Sequence, residues 1–195
     1  MSTFHERWIQ EDEIAENIMG LRGDPFHIMK IIKKYNKNGD RITKGAMEKS
    51  IKIQQIAANK GYAPSITEYS LEKGGEGFVI MRRCEMNLEN YFHKLTSPKI
   101  MMGCMIATAS LIEHIHHLGI FHKDLHLGNF VISKEKFSHD SILIQGTKYY
   151  MYLIDFDFAE IYDLGDDGVD HEHYERDLYL FGAAWFEELF NKKLQ

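Results

Sequence analysis

The chain has 195 residues, 44% of them hydrophobic and 27% charged, enough apolar material to bury a core and too much for a disordered polar chain. Its 23 Lys and Arg against 29 Asp and Glu give a formal charge of −6, so no general attraction to nucleic acid or anionic lipid is expected, and any phosphate-binding charge must be local. Two cysteines, Cys84 and Cys104, exclude a disulfide framework, no signal-peptide order opens the N-terminus, and no apolar run approaches the ~18 residues of a membrane span; the expectation is a soluble intracellular protein, cytoplasmic or nuclear.

From Trp8 to about Tyr35, short apolar runs are broken by Gly20, Gly23 and Pro25. Within them His27-Ile-Met-Lys-Ile-Ile-Lys33 reads as a strand with a lysine inside it, Lys30. Asn36-Lys-Asn-Gly-Asp40 supplies turn chemistry. The stretch from Ile42 to Asn59 then carries Met47, Ile51, Ile53, Ile56 and Ala57 near helical spacing, with Gly61 as the stop. Leu71-Glu-Lys-Gly-Gly-Glu-Gly-Phe78 is a glycine-rich hairpin turn leading into the buried-strand pattern Phe78-Val-Ile-Met81.

The texture changes near Asn87. Leu88 to Leu95 is amphipathic, and Ile100 to Leu118 is a long helix with apolar residues on several faces, as expected of a central one. Phe130-Val-Ile-Ser133 and Tyr149-Tyr-Met-Tyr-Leu-Ile154 read as strands joined by a polar, hairpin-like stretch containing Gly146. An acidic loop from Tyr162 to Glu175 precedes a last apolar helix, Leu178 to Phe190. There is no internal repeat and no low-complexity segment.

The chemistry concentrates in His122-Lys-Asp-Leu-His-Leu-Gly-Asn129, between an apolar helix and a strand, and in Leu153-Ile-Asp-Phe-Asp-Phe-Ala159 at the end of the next strand. An Asp in a loop is usually a turn or cap residue and an Asn before a strand usually serves local backbone, so neither residue argues alone. Jointly, the H-x-D-x-x-x-x-N spacing and the Ile-Asp-Phe at a strand end supply an acid to orient an attacking group and two oxygen ligands for Mg²⁺, which is what phosphoryl transfer asks of a protein.

On these motifs the sequence resembles the protein-kinase-like superfamily, whose catalytic loop reads H-R-D-x-x-x-x-N and whose metal motif reads D-F-G. The resemblance implies an α+β, two-lobed protein-kinase-like fold, with a small strand-rich N-lobe over about 1–84, a hinge at its end, and a truncated helical C-lobe over about 85–195 that lacks the late helices. It implies ATP and Mg²⁺ as cofactors, Asp124 as catalytic base, and Asn129 and Asp155 as Mg²⁺ ligands. Lys30 stands where V-A-I-K places the lysine on the ATP phosphates, and Glu48 is its candidate ion-pair partner, with Ser50 in the alternative register. Met81, Arg82 and Cys84 occupy the hinge, where backbone groups of Arg82 and Cys84 would bond adenine beneath Met81. Asp177-Leu-Tyr-Leu-Phe-Gly182 is similar to the D-x-W-x-x-G start of the family's central helix, whose Asp braces the catalytic loop.

Several positions depart from the pattern. No G-x-G-x-x-G precedes Lys30, Gly20 and Gly23 lying too close to it. Asp157 replaces the glycine of D-F-G, either reducing flipping of the metal motif or adding a carboxylate near Mg²⁺. Lys123 replaces the usual arginine. His126 takes the place of a lysine near the transferred phosphate, as a pH-sensitive substitute or simply as a loop histidine. No A-P-E follows, so control by activation-loop phosphorylation is not expected. These departures look most like haspin and the compact KEOPS-complex kinases. The leading expectation is a protein kinase acting on Ser or Thr of a protein substrate, with a possible regulatory protein partner and no direct nucleic-acid or membrane partner. The alternatives are a small-molecule phosphotransferase of aminoglycoside- or choline-kinase type and a nucleotide-binding pseudokinase scaffold. A nucleic-acid module would have only Lys30, Lys33, Lys34 and Lys37 to offer.

Overall fold

Alternation around Lys30 does produce a strand, and a computed structural model of the chain places it inside a five-stranded antiparallel sheet. The structure describes residues 10–15, 17–21, 23–33, 35, 42–72, 76–92, 97–135, 141–144, 146–162 and 171–193. Trp8, the turn at 36–40, Lys34, Lys37, the hairpin residues 73–75, and 163–170 of the acidic loop lie outside them. The chain divides into two compact units, Met1–Lys52 with Ser65–Arg83, and Ile53–Pro64 with Cys84–Gln195.

In the first unit the strands are β1 (Gln10–Ala15), β2 (Ile18–Leu21), β3 (Asp24–Ile32), β4 (Ile66–Leu71) and β5 (Gly77–Arg82), in the order β1-β2-β3-β5-β4. Gly23, at φ 74, makes the turn from β2 to β3 in a conformation that side chains rarely adopt. On β5 the residues Phe78, Val79, Ile80 and Met81 are all buried, because both faces of this central strand are covered. Phe78 and Ile80 pack with Leu21 and Met29. Val79 and Met81 face the other way, packing with Ile32 and with Met47 and Ile51 of helix α1 (Lys44–Asn59). Lys30 pairs with Val79 across the ladder and shares the strand face of Ile28 and Ile32.

Helix α1 starts at Lys44, two residues inside the expected start at Ile42, where the Thr43 hydroxyl accepts the Ala46 N–H at 3.2 Å. It ends at Gly61, φ 81, where the Gly61 and Tyr62 N–H groups return to the carbonyls of Ala58 and Ala57. Ile53 and Ala57, toward its C-terminal end, belong to the core of the second unit.

That second unit contains α2 (Leu88–Phe92), α3 (Pro98–His116) and α4 (His171–Lys193). Its four-stranded sheet runs β6-β8-β10-β9, from β6 (Met86–Asn87), β8 (Phe130–Ser133), β9 (Ser141–Ile144) and β10 (Thr147–Leu153). A separate two-stranded ladder pairs β7 (Ile120–Phe121) with β11 (Glu160–Ile161). Apolar residues of α3, among them Cys104, Leu111, Ile112 and Ile115, are buried against Phe92, Phe156 and Trp185. Trp185 packs edge-on to Phe92 at 4.9 Å and donates its indole N–H to the Thr108 hydroxyl at 3.2 Å, satisfying the polar end of a fully buried ring. Cys84 is half-buried, and among the described residues no helix is long and apolar enough to cross a membrane. Helix α4 begins seven residues before the expected Leu178. Its first turns are polar and lack helical patterning, but Tyr174 docks edge-on against Phe121 at 4.6 Å.

Candidate active site

The segment from β7 to β8 is held by bonds directed at its backbone. Asp177 of α4, 1% exposed, accepts the His122 N–H at 2.8 Å, the Lys123 N–H at 2.7 Å and the His116 Nε2–H at 3.0 Å. A buried carboxylate without such donors would cost several kcal/mol, so the three bonds are what make its position tenable. Burial works to raise the Asp177 carboxyl, but the bonds from His116 and the two N–H groups outweigh it and hold it below the usual carboxylate range. This matches the bracing role the sequence suggested for Asp177.

His122 is itself buried, and its Nε2–H donates to the Ile154 carbonyl at 2.9 Å. Burial keeps the ring below the ordinary histidine value, although the Ile154 carbonyl and the carboxylates of Asp177, Asp155 and Asp124 pull the other way. The ring is thus neutral, with Nδ1 buried and unpaired. Phe156 packs edge-on against it at 5.1 Å.

Asn129 closes the loop. Its Nδ2 donates to the Asp124 carbonyl at 2.8 Å, its N–H to the His126 carbonyl at 3.0 Å, and its own carbonyl accepts the Ile154 N–H at 3.0 Å. With Phe130 opposite Leu153 in the β8–β10 ladder, this last bond extends the pairing by one position and puts Asp155 immediately past it. The ladder end therefore gathers Asp124, Asn129 and Asp155. Lys123 and Asp155 both sit in the left-handed region, at φ 64 and φ 66. Such residues cost about 1–3 kcal/mol each and cluster where the surroundings over-determine a functional geometry.

The Asp124 carboxylate is half-exposed, and His126 Nε2 lies 3.9 Å from its Oδ2. Gly128 is closely approached by two side-chain ends: a Cβ there would stand 2.8 Å from both Glu89 Oε2 and His126 Cε1. Glu89, Gly128, His116, Glu160 and Tyr162 are parts of this region that sequence reasoning did not single out as functional. Only Gly128 lay inside a motif.

The N-terminal candidates are differently placed. Lys30 is half-buried on β3. Glu48 is about half-exposed on α1, with its carboxylate 3.7 Å from Lys44 Nζ, while Ser50 of the alternative register is buried. The phase of α1 explains this, since turning Met47 and Ile51 onto the sheet turns Glu48 outward. Met81 is buried. The Arg82 N–H donates to the Ser65 carbonyl at 3.0 Å, so of its two backbone groups the carbonyl is the one assigned below to adenine.

Asn129 and Asp155 offer hard oxygen ligands, and no group of three or more His, Cys, Asp or Glu suited to a metal occurs among the described residues. That donor set fits Mg²⁺, which takes one or two protein ligands and completes its shell with phosphate and water oxygens.

No family model and no curated protein sequence matches the chain. Solved structures do. The kinase PK-1 of Cydia pomonella granulovirus matches with a TM-score of 0.57 at 15% identity, over 88% of this chain and 62% of that one. A chain of the yeast RNA Pol II CTD kinase CTDK-1 complex matches with a TM-score of 0.55 at 15% identity, over 80% and 47%. WaaP, solved in complex with acyl carrier protein, matches with a TM-score of 0.53 at 14% identity, over 93% and 78%. The chain has the protein-kinase-like fold, and it spans less than two thirds of the length of the first two of these structures.

Proposed function

We propose that the chain is an ATP- and Mg²⁺-dependent phosphotransferase that moves the γ-phosphoryl group to a Ser or Thr hydroxyl of a protein substrate inside the cell. The observation carrying this reading is the gathering of Asp124, Asn129 and Asp155 at one ladder end, braced by the buried Asp177. Asp124 keeps a half-exposed carboxylate able to orient an acceptor hydroxyl and take its proton as the new O–P bond forms and the bond to the leaving nucleoside diphosphate breaks. Asn129 and Asp155 hold the metal, which when bound neutralises charge on the phosphates. His126 stands beside Asp124 as a further donor toward the transferred group. Lys30 is assigned to the α- and β-phosphates. Met81, Cys84 and the Arg82 carbonyl are assigned to the adenine. Glu48 is assigned to pair with Lys30.

The test is incubation with γ-labelled ATP and Mg²⁺ alongside Asp124→Asn. Loss of proton acceptance should lower turnover by roughly 10²–10⁴-fold. Absence of autophosphorylation, labelled acceptor and ATP hydrolysis, with the variant indistinguishable, sinks the reading. A small-molecule acceptor is the second reading, favoured by Asp157, an exposed carboxylate two residues past Asp155. Label appearing on small alcohols or aminoglycosides rather than on proteins selects it.

A further inference from the structure

Beside Asp124 three side chains form a cluster that the reading above leaves unused. Lys123 immediately precedes Asp124, and its left-handed backbone has its N–H committed to Asp177. Its side chain, 12% exposed, bonds Glu160 Oε2, and the same oxygen accepts the Tyr162 hydroxyl. The ammonium also lies 5.7 Å from the centre of the Tyr162 ring, which packs on His173 at 4.6 Å and Phe121 at 5.7 Å. The backbone registers the same two segments: Glu160 pairs with Phe121, Ile161 with Ile120, and the Tyr162 N–H donates to the Gly119 carbonyl at 2.9 Å. One segment leads into Asp124; the other follows Asp155.

We propose that Glu160 is a positioning residue: by holding Lys123, with Tyr162 on the same oxygen, it fixes the left-handed turn that aims Asp124 and ties that turn to the segment carrying Asp155. This rests on the phosphotransfer reading of Asp124 and Asp155. An exposed lysine–glutamate pair would contribute little, because water screens it and two long side chains must be ordered. Lys123 differs in being largely buried. Burial works to lower its ammonium, but the bond and charge of Glu160 override that and hold it above the ordinary lysine value. The same carboxylate pushes the Tyr162 phenol up. Lys123 therefore stays an ammonium and Tyr162 a phenol through the neutral range. A neutral amide at 160 would leave the ammonium desolvated without a counter-charge, and its cheapest escape is outward to water, dragging the turn before Asp124.

Two measurements on the whole chain decide the matter. Hydrogen–deuterium exchange in Glu160→Gln should quicken roughly tenfold at residues 121–125 while the β3–β5 ladder keeps its protection. Glu160→Asp, which keeps the charge, and Tyr162→Phe, which removes only the phenol oxygen, should fall in between. With Mg²⁺·ATP, Glu160→Gln should lose roughly tenfold or more in kcat while KM for ATP stays within about twofold, and Glu160→Asp should recover part of the loss. Unchanged exchange at 121–125 overturns the proposal, and so does faster exchange with unchanged kcat. Faster exchange everywhere would mark global unfolding of Glu160→Gln; Tyr162→Phe, the milder change, then decides by the same two criteria. A wild-type chain as inactive as Asp124→Asn removes the phosphotransfer reading itself and with it the aiming of Asp124, while exchange still reports whether Glu160 holds the turn.

Discussion

Asp124 is assigned to the acceptor hydroxyl and Lys30 to the phosphates, and the two stretches that carry them are held by different kinds of bond. Around Asp124 the side chains of Asp177 and Asn129 reach for backbone groups: the N–H of His122, the N–H of Lys123 and the carbonyl of Asp124. Around Lys30 the geometry is set by strand register opposite Ile18 and Val79, and by the phase of α1, which buries Met47 and exposes Glu48. Bonds to nearby backbone depend on spacing along the chain, which a motif records directly. Pairing between a strand and a helix depends on rotation, and one residue of slip turns a helix by about 100°. The contrast can be broken most forcefully at its tightest point. Asp177→Ala strands two buried N–H groups and His116, and should lower unfolding free energy by about 3 kcal/mol or more, read by urea denaturation. A loss below about 1 kcal/mol would show that solvent readily replaces the brace.

Acid should loosen the same loop in two stages. The His122 ring, held below the ordinary value of 6.5, stays neutral in the native state. As pH falls through about 6.5, the unfolded chain takes up a proton that the native ring refuses, so stability declines. Asp177 is held below its ordinary carboxyl value of 3.8. Its contribution is complete above that value and is lost as pH falls through the lower native one, adding a second decline. Denaturation midpoints followed from pH 8 to pH 3 should show both, with His122→Asn flattening the first and Asp177→Asn the second. A profile that the two substitutions leave unaltered would separate acid sensitivity from this loop.

How far the molecule can be read from its sequence follows the same division. The spacing of Asp124, Asn129 and Asp155 was legible because a loop and a strand end bring them together over short stretches of chain. The ends of α1 were legible within two residues, since Gly61 announces the stop. Glu160 and Tyr162 were not, because β7 and β11 have two residues each and show no periodicity to detect. His116 hides in the last turn of an apolar helix, where a histidine commonly serves the helix end. Strand β9 lies in what reads from sequence as a polar connection, its Ile142 and Ile144 buried around an exposed Leu143 giving too short an alternation. That the Arg82 N–H goes to Ser65 was not legible either, because a central-strand pattern does not say which neighbour takes each donor.

A smaller effect is expected at Gly128. A methyl group there meets only the ends of the Glu89 and His126 side chains, which can swing aside, so Gly128→Ala should cost about 1 kcal/mol or less in stability. The swing moves His126 from beside Asp124, however, and turnover should fall by roughly tenfold or more, up to the roughly 10²-fold that a misplacement of about 1 Å can cost. Equal turnover at equal stability would mean that His126 is a loop histidine without a part in the chemistry.

The least effect is expected where the motif would predict the greatest. If the described phase of α1 is the working one, Glu48→Ala removes only a solvent-exposed contact with Lys44, and both stability and turnover should stay within about 0.5 kcal/mol of the wild type. Lys30→Met, measured in parallel, should still reduce turnover, because the assigned phosphate contact does not need Glu48. A loss of tenfold or more in Glu48→Ala, with stability unchanged, would show that α1 turns Glu48 inward during catalysis. Met47 and Ile51 would then have to leave the sheet as it turned, so replacing Ile51 by a smaller residue should ease that rotation and partly offset a slow turning step. The two single variants together distinguish a helix that is merely set differently from one that moves.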